Sequence, residues 1–239
     1  MQKYPLVLVP GLMCDHRLWQ PQIEAFSNER PVIVPNLSVC NSVPEMANCA
    51  LNSVDGDFVL AGLSMGGIVA FEMWRQAPTR IKGLALLDTN ALKESEARKA
   101  ERLRQIEDVR RGDLVRILVE ELKPNYLAAV HRADKNLLNT LRQMGEDQGA
   151  GVFERHSRAL MVRSDSLETL ATITCPTCVL CGQEDELCPV EYHQMMASHI
   201  PNANLITLPD CGHMSSLEAP AIVNSMLADL IKRAEKAKP

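Results

Sequence analysis

Residues Gly62-Leu63-Ser64-Met65-Gly66-Gly67 follow the apolar run Phe58-Val59-Leu60-Ala61 and lead into Ile68-Val69-Ala70-Phe71-Glu72-Met73-Trp74-Arg75-Gln76-Ala77. A β-like run, a G-x-S-x-G turn and a helical pattern, in that order, describe a nucleophile elbow. A serine at such a sharp strand-to-helix turn needs small neighbours two positions away on either side, because a Cβ there would strike the backbone. The turn lifts the serine oxygen above the sheet, next to the unpaired N–H groups and positive end of the helix that begins there. Ser64 is thus the candidate nucleophile, flanked by the elbow glycines Gly62 and Gly66. An ordinary serine on a glycine-rich turn is the competing reading, and the strand before and helix after weigh against it.

Outward from this turn, short apolar runs alternate with longer helical patterns, as βαβ units of a parallel sheet require. Strands are predicted at Leu6 to Val9, Val32 to Val34, Phe58 to Ala61, Gly83 to Leu87, Thr177 to Cys181 and Asn204 to Thr207. Helices are predicted at Arg17 to Ser27, Pro44 to Ser53, Met65 to Ala77, Val190 to His199 and Ala219 to Ala234, with right-handed crossovers. Between Ala91 and Asp165 the β signal stops, and the chain turns charged and helical with interruptions at Gly112, Pro124, Gly145 and Gly149. This divides the chain into a core at 1–90 and 166–239 and a helical lid at 91–165. The lid carries a net charge of +2 and the remainder −7. A solvated amphipathic surface accounts for most of that asymmetry. The terminal KRAEKAKP is expected to fray.

A serine hydroxyl is a weak nucleophile at neutral pH, so Ser64 requires a histidine base and a carboxylate that fixes the tautomer of that base. Asp185, in Cys181-Gly-Gln-Glu-Asp185-Glu-Leu-Cys-Pro, follows the fifth predicted strand at its carboxyl end, where ligand-facing residues of open parallel sheets gather. Glu184 and Glu186 adjoin it and Asp88 ends the fourth strand as a rival; strand-end placement and the chain order Ser, Asp, His favour Asp185. His213, in Asp210-Cys-Gly-His213-Met-Ser-Ser, follows the last strand on a glycine-bearing loop. His16, His131, His156, His193 and His199 fall on or near helices and suit the role less. The oxyanion donors are expected to be the N–H of Met65, after the nucleophile, and that of Leu12 in the loop Val9-Pro10-Gly11-Leu12.

The chain has 239 residues, 46% of them hydrophobic, which suffices for a single buried core. A net charge of −5 argues against nucleic-acid binding. Without an apolar run long enough to cross a bilayer or a recognisable signal region, the protein is expected in the cytoplasm. Eight cysteines are too sparse for a disulfide scaffold. The run Cys175-Pro-Thr-Cys178-Val-Leu-Cys181 reads as a buried strand rather than a metal or redox site, because no second ligand pair lies at suitable spacing. Dinucleotide, phosphate-loop and zinc-helix motifs are missing, so neither cofactor nor metal is expected.

Taken together, LVLVPGLMCDHRLW, GLSMGG, LCGQEDELCP and GHMSSLEAP resemble the α/β-hydrolase superfamily, in particular its bacterial lidded esterases, enol-lactonases and perhydrolase-like members. The resemblance spans nearly the whole chain. It implies a mostly parallel sheet of about six strands with flanking helices and an inserted helical lid, a triad of Ser64, Asp185 and His213, and oxyanion donors at Leu12 and Met65. The implied reaction is cofactor-independent cleavage of a small carboxylic ester, thioester or lactone through an acyl-enzyme. Carbon–carbon hydrolysis, elimination, peracid formation or ligand reception use the same fold. The chain departs from the family pattern in three places. The two leading strands are absent, which alters a sheet edge and could support a homodimer; Pro10 stands where histidine is common; and Pro35-Asn-Leu-Ser lacks a glycine-rich turn. Met144, Phe153, Leu160 and Met161 are candidate acyl contacts, and Arg142, Arg155, Arg158 and Arg163 candidate partners for a substrate carboxylate.

Overall fold

A computed structural model describes residues 3–122 and 126–237. Among these residues six strands, β1 (Leu6–Val9), β2 (Val32–Ile33), β3 (Phe58–Leu63), β4 (Ile81–Leu87), β5 (Thr177–Gly182) and β6 (Ala203–Leu208), form one sheet in the order β2-β1-β3-β4-β5-β6. Every neighbouring pair is parallel. The central strands are apolar at nearly every position because both sheet faces are covered. Along β3, Val59, Ala61 and Leu63 enter one core and Phe58 and Leu60 the other.

Among the described residues ten α-helices accompany the sheet. They are α1 (Gln20–Phe26), α2 (Val43–Asn52), α3 (Met65–Gln76), α4 (Glu96–Arg110), α5 (Leu114–Arg116), α6 (Lys135–Met161), α7 (Leu167–Leu170), α8 (Val190–His199), α9 (Ser215–Glu218) and α10 (Pro220–Lys236). The predicted helix at Arg17 opens instead with a short 3₁₀ turn, His16–Trp19, capped by the Asp15 carboxylate on the Arg17 N–H. Pro21 at the second position of α1 fits a first turn, where its missing N–H is not needed. α10 does not fray at Lys232 as expected but runs to Lys236. Ala234 is buried and Arg30 reaches Glu235 at 2.8 Å, so the last turns have tertiary partners.

Helices α4 to α7 lie between β4 and β5, and a backbone hydrogen bond from Ser166 N–H to Ala91 O, 2.8 Å, joins the two ends of the excursion. Gly112 sits at φ +105 just beyond α4, and Gly149 at φ +78 kinks α6, so both interrupt helices as glycine permits. Gly145 does not interrupt. It stays inside α6, where a Cβ would lie 2.6 Å from the Leu118 side chain, so its smallness serves packing. Pro124 lies outside the described residues. The excursion is tied to the core from above. Arg155 donates to Ser38 O at 2.7 Å, Arg17 pairs with Asp147 at 2.7 Å, and Tyr126 O accepts the His213 N–H at 2.7 Å.

The cysteine run behaves as strand. Cys178 and Cys181 are buried in β5, Cys175 is half-buried before it, and all are free thiols. Trp19 and Trp74 are packing residues, with the Trp74 indole N–H donating to Thr172 at 3.0 Å.

Candidate active site

The carboxyl ends of β1, β3, β4, β5 and β6 deliver the predicted residues to one place. Ser64 stands between β3 and α3 with φ 56, a left-handed conformation that costs a non-glycine residue about 1 to 3 kcal/mol. Its neighbours leave no alternative path. A Cβ on Gly62 would lie 2.3 Å from Gly66 O, and one on Gly66 2.1 Å from Val9 O. The Thr89 hydroxyl donates to Ser64 O at 2.7 Å and braces the elbow from the neighbouring strand end.

The Ser64 Oγ lies 2.9 Å from His213 Nε2, and His213 Nδ1 lies 2.8 Å from Asp185 Oδ2. Asp185 is fixed through its other oxygen, which accepts the N–H groups of Leu187 and Cys188, each at 2.9 Å. Because the carboxylate can only accept, the Nδ1 of a neutral ring carries the proton and Nε2 offers its lone pair to the Ser64 hydroxyl. Asp185 and His213 are buried, whereas Ser64 is half-exposed. Burial opposes protonation of His213, but the carboxylates of Asp185, Asp88 and Glu218 outweigh it and raise its pKa above the ordinary histidine value of 6.5.

The rival carboxylates do other work. Asp88 accepts the N–H groups of Gly182 at 3.3 Å and Ser215 at 3.0 Å, joining the loops that carry Asp185 and His213. Burial, and secondarily the Asp185 charge, push its pKa up to about 7. Glu184 accepts the Ala129 N–H at 2.8 Å, and Glu186 lies 3.5 Å from Arg132. Among the other histidines, His193 is buried and accepts the Thr89 N–H at 2.9 Å, with burial pushing its pKa down to about 4. His156 is buried over Leu37 O at 3.0 Å.

The backbone N–H groups of Leu12 and Met65 donate to none of the described residues, and both residues line the cavity that contains Ser64. Met13, next to Leu12, has φ 57, so the loop after β1 is held in a conformation that methionine disfavours. Asp185, Cys188 and His213 are close enough to contact one metal ion. Yet the Nδ1 proton of His213 already serves Asp185, and burial drives the Cys188 thiol pKa far above its ordinary value, so the donor set is that of a hydrogen-bonded pair beside a neutral thiol.

Two groups escaped the sequence reading. Glu218 receives the N–H groups of Gly212 and Met214 at 3.0 Å and of Ala128 at 2.8 Å, clamping the histidine loop to the helical excursion. Its position four residues after Met214 marks it only once the short helix α9 is known. Of the proposed acyl contacts, Leu160 lines the cavity, while Met144 and Phe153 are wholly buried in the core and Met161 is not among the lining residues. Of the arginines, Arg142 pairs with Glu146, Arg158 with Glu154 and Arg155 with Ser38 O. Only Arg163 reaches the cavity, where the unforeseen Arg102 joins it.

A serine, histidine and aspartate in hydrogen-bonded series at the carboxyl edge of a doubly covered parallel sheet define the serine-hydrolase class of site. The alpha/beta hydrolase family model matches residues 6–225, and the chain belongs to that family. A pimeloyl-[acyl-carrier protein] methyl ester esterase of Legionella pneumophila is 25% identical over 97% of this chain and 96% of its own. The 3-oxoadipate enol-lactonase 1 of Acinetobacter baylyi is 23% identical over 95% of this chain and 88% of its own. A malate-bound thermophilic esterase from Thermogutta terrifontis superposes with a TM-score of 0.87 at 30% identity, over 97% of this chain and 90% of its own. No helix among the described residues is long and apolar enough to cross a membrane.

Proposed function

We propose that the protein is a serine hydrolase that cleaves a small carboxylic ester or lactone, with Ser64, His213 and Asp185 as its catalytic residues. The observation that carries this reading is the unbroken series of hydrogen bonds from Ser64 Oγ through His213 to Asp185, on a strained elbow inside a cavity. The esterase and lactonase relatives support it.

In this reading Ser64 Oγ attacks the carbonyl carbon while its proton passes to His213 Nε2. The tetrahedral oxyanion receives the N–H groups of Leu12 and Met65. The carbon–oxygen bond to the alcohol then breaks, His213 returns the proton to the departing oxygen, and the acyl group remains on Ser64. Water repeats the attack with His213 as base, and the acid leaves. Asp185 keeps the Nδ1 proton in place and stabilises the imidazolium of both steps. The helical excursion over residues 91–165 acts as a lid, closing a cavity of about 290 Å³ over Ser64. No cofactor enters these steps.

Turnover of p-nitrophenyl esters from acetyl to dodecanoyl tests the reading. The wild type should hydrolyse the short esters fastest, since the cavity is small. Absence of turnover along the whole series defeats simple esterase activity. A pH profile tests the base. His213 accepts a proton from Ser64 only when its ring is neutral, and its pKa lies above 6.5. The acid limb of kcat/KM should therefore be centred above that value, and Asp88→Asn should move it to lower pH by removing one of the carboxylates that raise it. A limb that stays in place in this variant contradicts the assignment of His213 as the base coupled to Asp88.

A further inference from the structure

The wall of the cavity opposite the sheet contains an ionic cluster that the triad does not use. Glu94, in the loop before α4, accepts from Arg102 Nε at 2.8 Å and from Arg163 Nη1 at 2.8 Å through the same oxygen. All three side chains are at least nine-tenths buried, so one carboxylate faces two guanidinium groups removed from water. Arg163 is otherwise well satisfied, donating to Leu92 O at 2.9 Å and Leu160 O at 3.4 Å. Arg102 is not. Its two terminal nitrogens donate to none of the described residues, and the residue lines the same cavity as Ser64 and His213.

These nitrogens open to the cavity rather than to packed interior, so an anionic group that enters the cavity can reach them. Besides Glu94, the carboxylate among the described lining residues is Glu186, which lies 3.5 Å from Arg132. Arg98, on the same wall, is engaged by Glu101 at 2.7 Å, and Lys93 adds a further positive charge to the lining. Tyr126 also lines the cavity, and its ring centre lies 5.8 Å from that of His213. Its burial keeps it protonated, so it is a neutral donor with no partner among the described residues.

We propose that Arg102 receives a carboxylate of the substrate, so that the preferred substrate is an ester or lactone carrying a second, ionised acid group away from the scissile carbonyl. This rests on the hydrolase reading above. The planar guanidinium presents paired N–H donors that match a carboxylate, and Glu94, held by Arg163 as well, keeps the fork in place. The second acid group would enter the cavity's charged end while its carbonyl carbon meets Ser64.

The test compares monoethyl glutarate with ethyl pentanoate, equal in acyl length and differing in one charge. The wild type should favour the half-ester in kcat/KM by about 10- to 100-fold, the range of a charge-assisted hydrogen bond to a buried group. Arg102→Met should remove that preference, chiefly through KM, while Arg102→Lys restores part of it. Equal use of both esters by the wild type, or an equal loss on both in Arg102→Met, overturns the proposal. Calorimetric binding of glutarate and of its neutral diamide, glutaramide, to the wild type needs neither turnover nor a folded variant. Tighter binding of glutarate, weakened by salt, supports the site, and equal affinities overturn it. Inactivity toward every ester would sink the hydrolase reading, while the calorimetry would still decide the carboxylate site.

Discussion

Replacing Ser64 by alanine should lower kcat for the best p-nitrophenyl ester by roughly 10⁴- to 10⁶-fold, because the variant retains the cavity and oxyanion donors but has no oxygen to carry the acyl group. His213→Ala should cost about as much, and the double variant little more, since the two residues act as one unit. Stability moves differently. Alanine keeps a Cβ at φ 56 and should unfold close to wild type, whereas Ser64→Gly relieves the left-handed strain and should raise the melting temperature while remaining inactive. Steady-state kinetics and thermal melts on the same preparations check both halves. Retained turnover in Ser64→Ala would remove the serine from the mechanism.

Asp185→Asn should reduce kcat by about 10⁴-fold, the scale of a base held in the wrong tautomer. The direction follows from the loop geometry. Two backbone N–H groups, from Leu187 and Cys188, occupy one carboxylate oxygen. In the amide variant they select the oxygen for that side and turn the NH₂ toward His213. The ring must then accept at Nδ1 and hold its proton at Nε2, where it faces Ser64 as a donor instead of an acceptor. Asp88→Asn should cost far less, because Asp88 supports two loops without touching the ring. Kinetics of the two variants side by side decide between the acids, and a larger loss at position 88 would reverse the assignment.

The site was legible where chemistry forces a local pattern. The elbow shows in sequence because Gly62 and Gly66 have backbone atoms within 2.3 Å of where a Cβ would stand. Asp185 and His213 show because they sit directly after strands β5 and β6, and parallel topology sends all such loops to one edge. Other features depend on pairings across the fold. Arg163 is one of four arginines the sequence offers to a substrate carboxylate, whereas Arg102, 61 residues before it, reads as an ordinary charge on a helical stretch; their shared Glu94 is visible only when α4 and the end of α6 come together. Glu218 is likewise an unremarked acid until three N–H groups converge on it. Met144 and Phe153 were indistinguishable from cavity-lining residues, since an apolar helix face carries no mark of which side meets a substrate.

The expected α10 fraying failed for a related reason. A charged terminal run reads as solvated, but Arg30, distant in sequence, pairs with Glu235 and holds that turn. At Met13 and Asp88, positive φ angles belong to the loops around the site and leave no trace in residue type.

Covalent capture of the nucleophile tests the central claim most directly. The enzyme is treated with a fluorophosphonate, which a serine hydrolase attacks with loss of fluoride, and is then weighed intact and digested for peptide mass spectrometry. The account predicts one adduct per chain, on Ser64, formed in step with loss of activity and absent from Ser64→Ala. An unmodified, fully active enzyme, or an adduct elsewhere with Ser64 untouched, would contradict it.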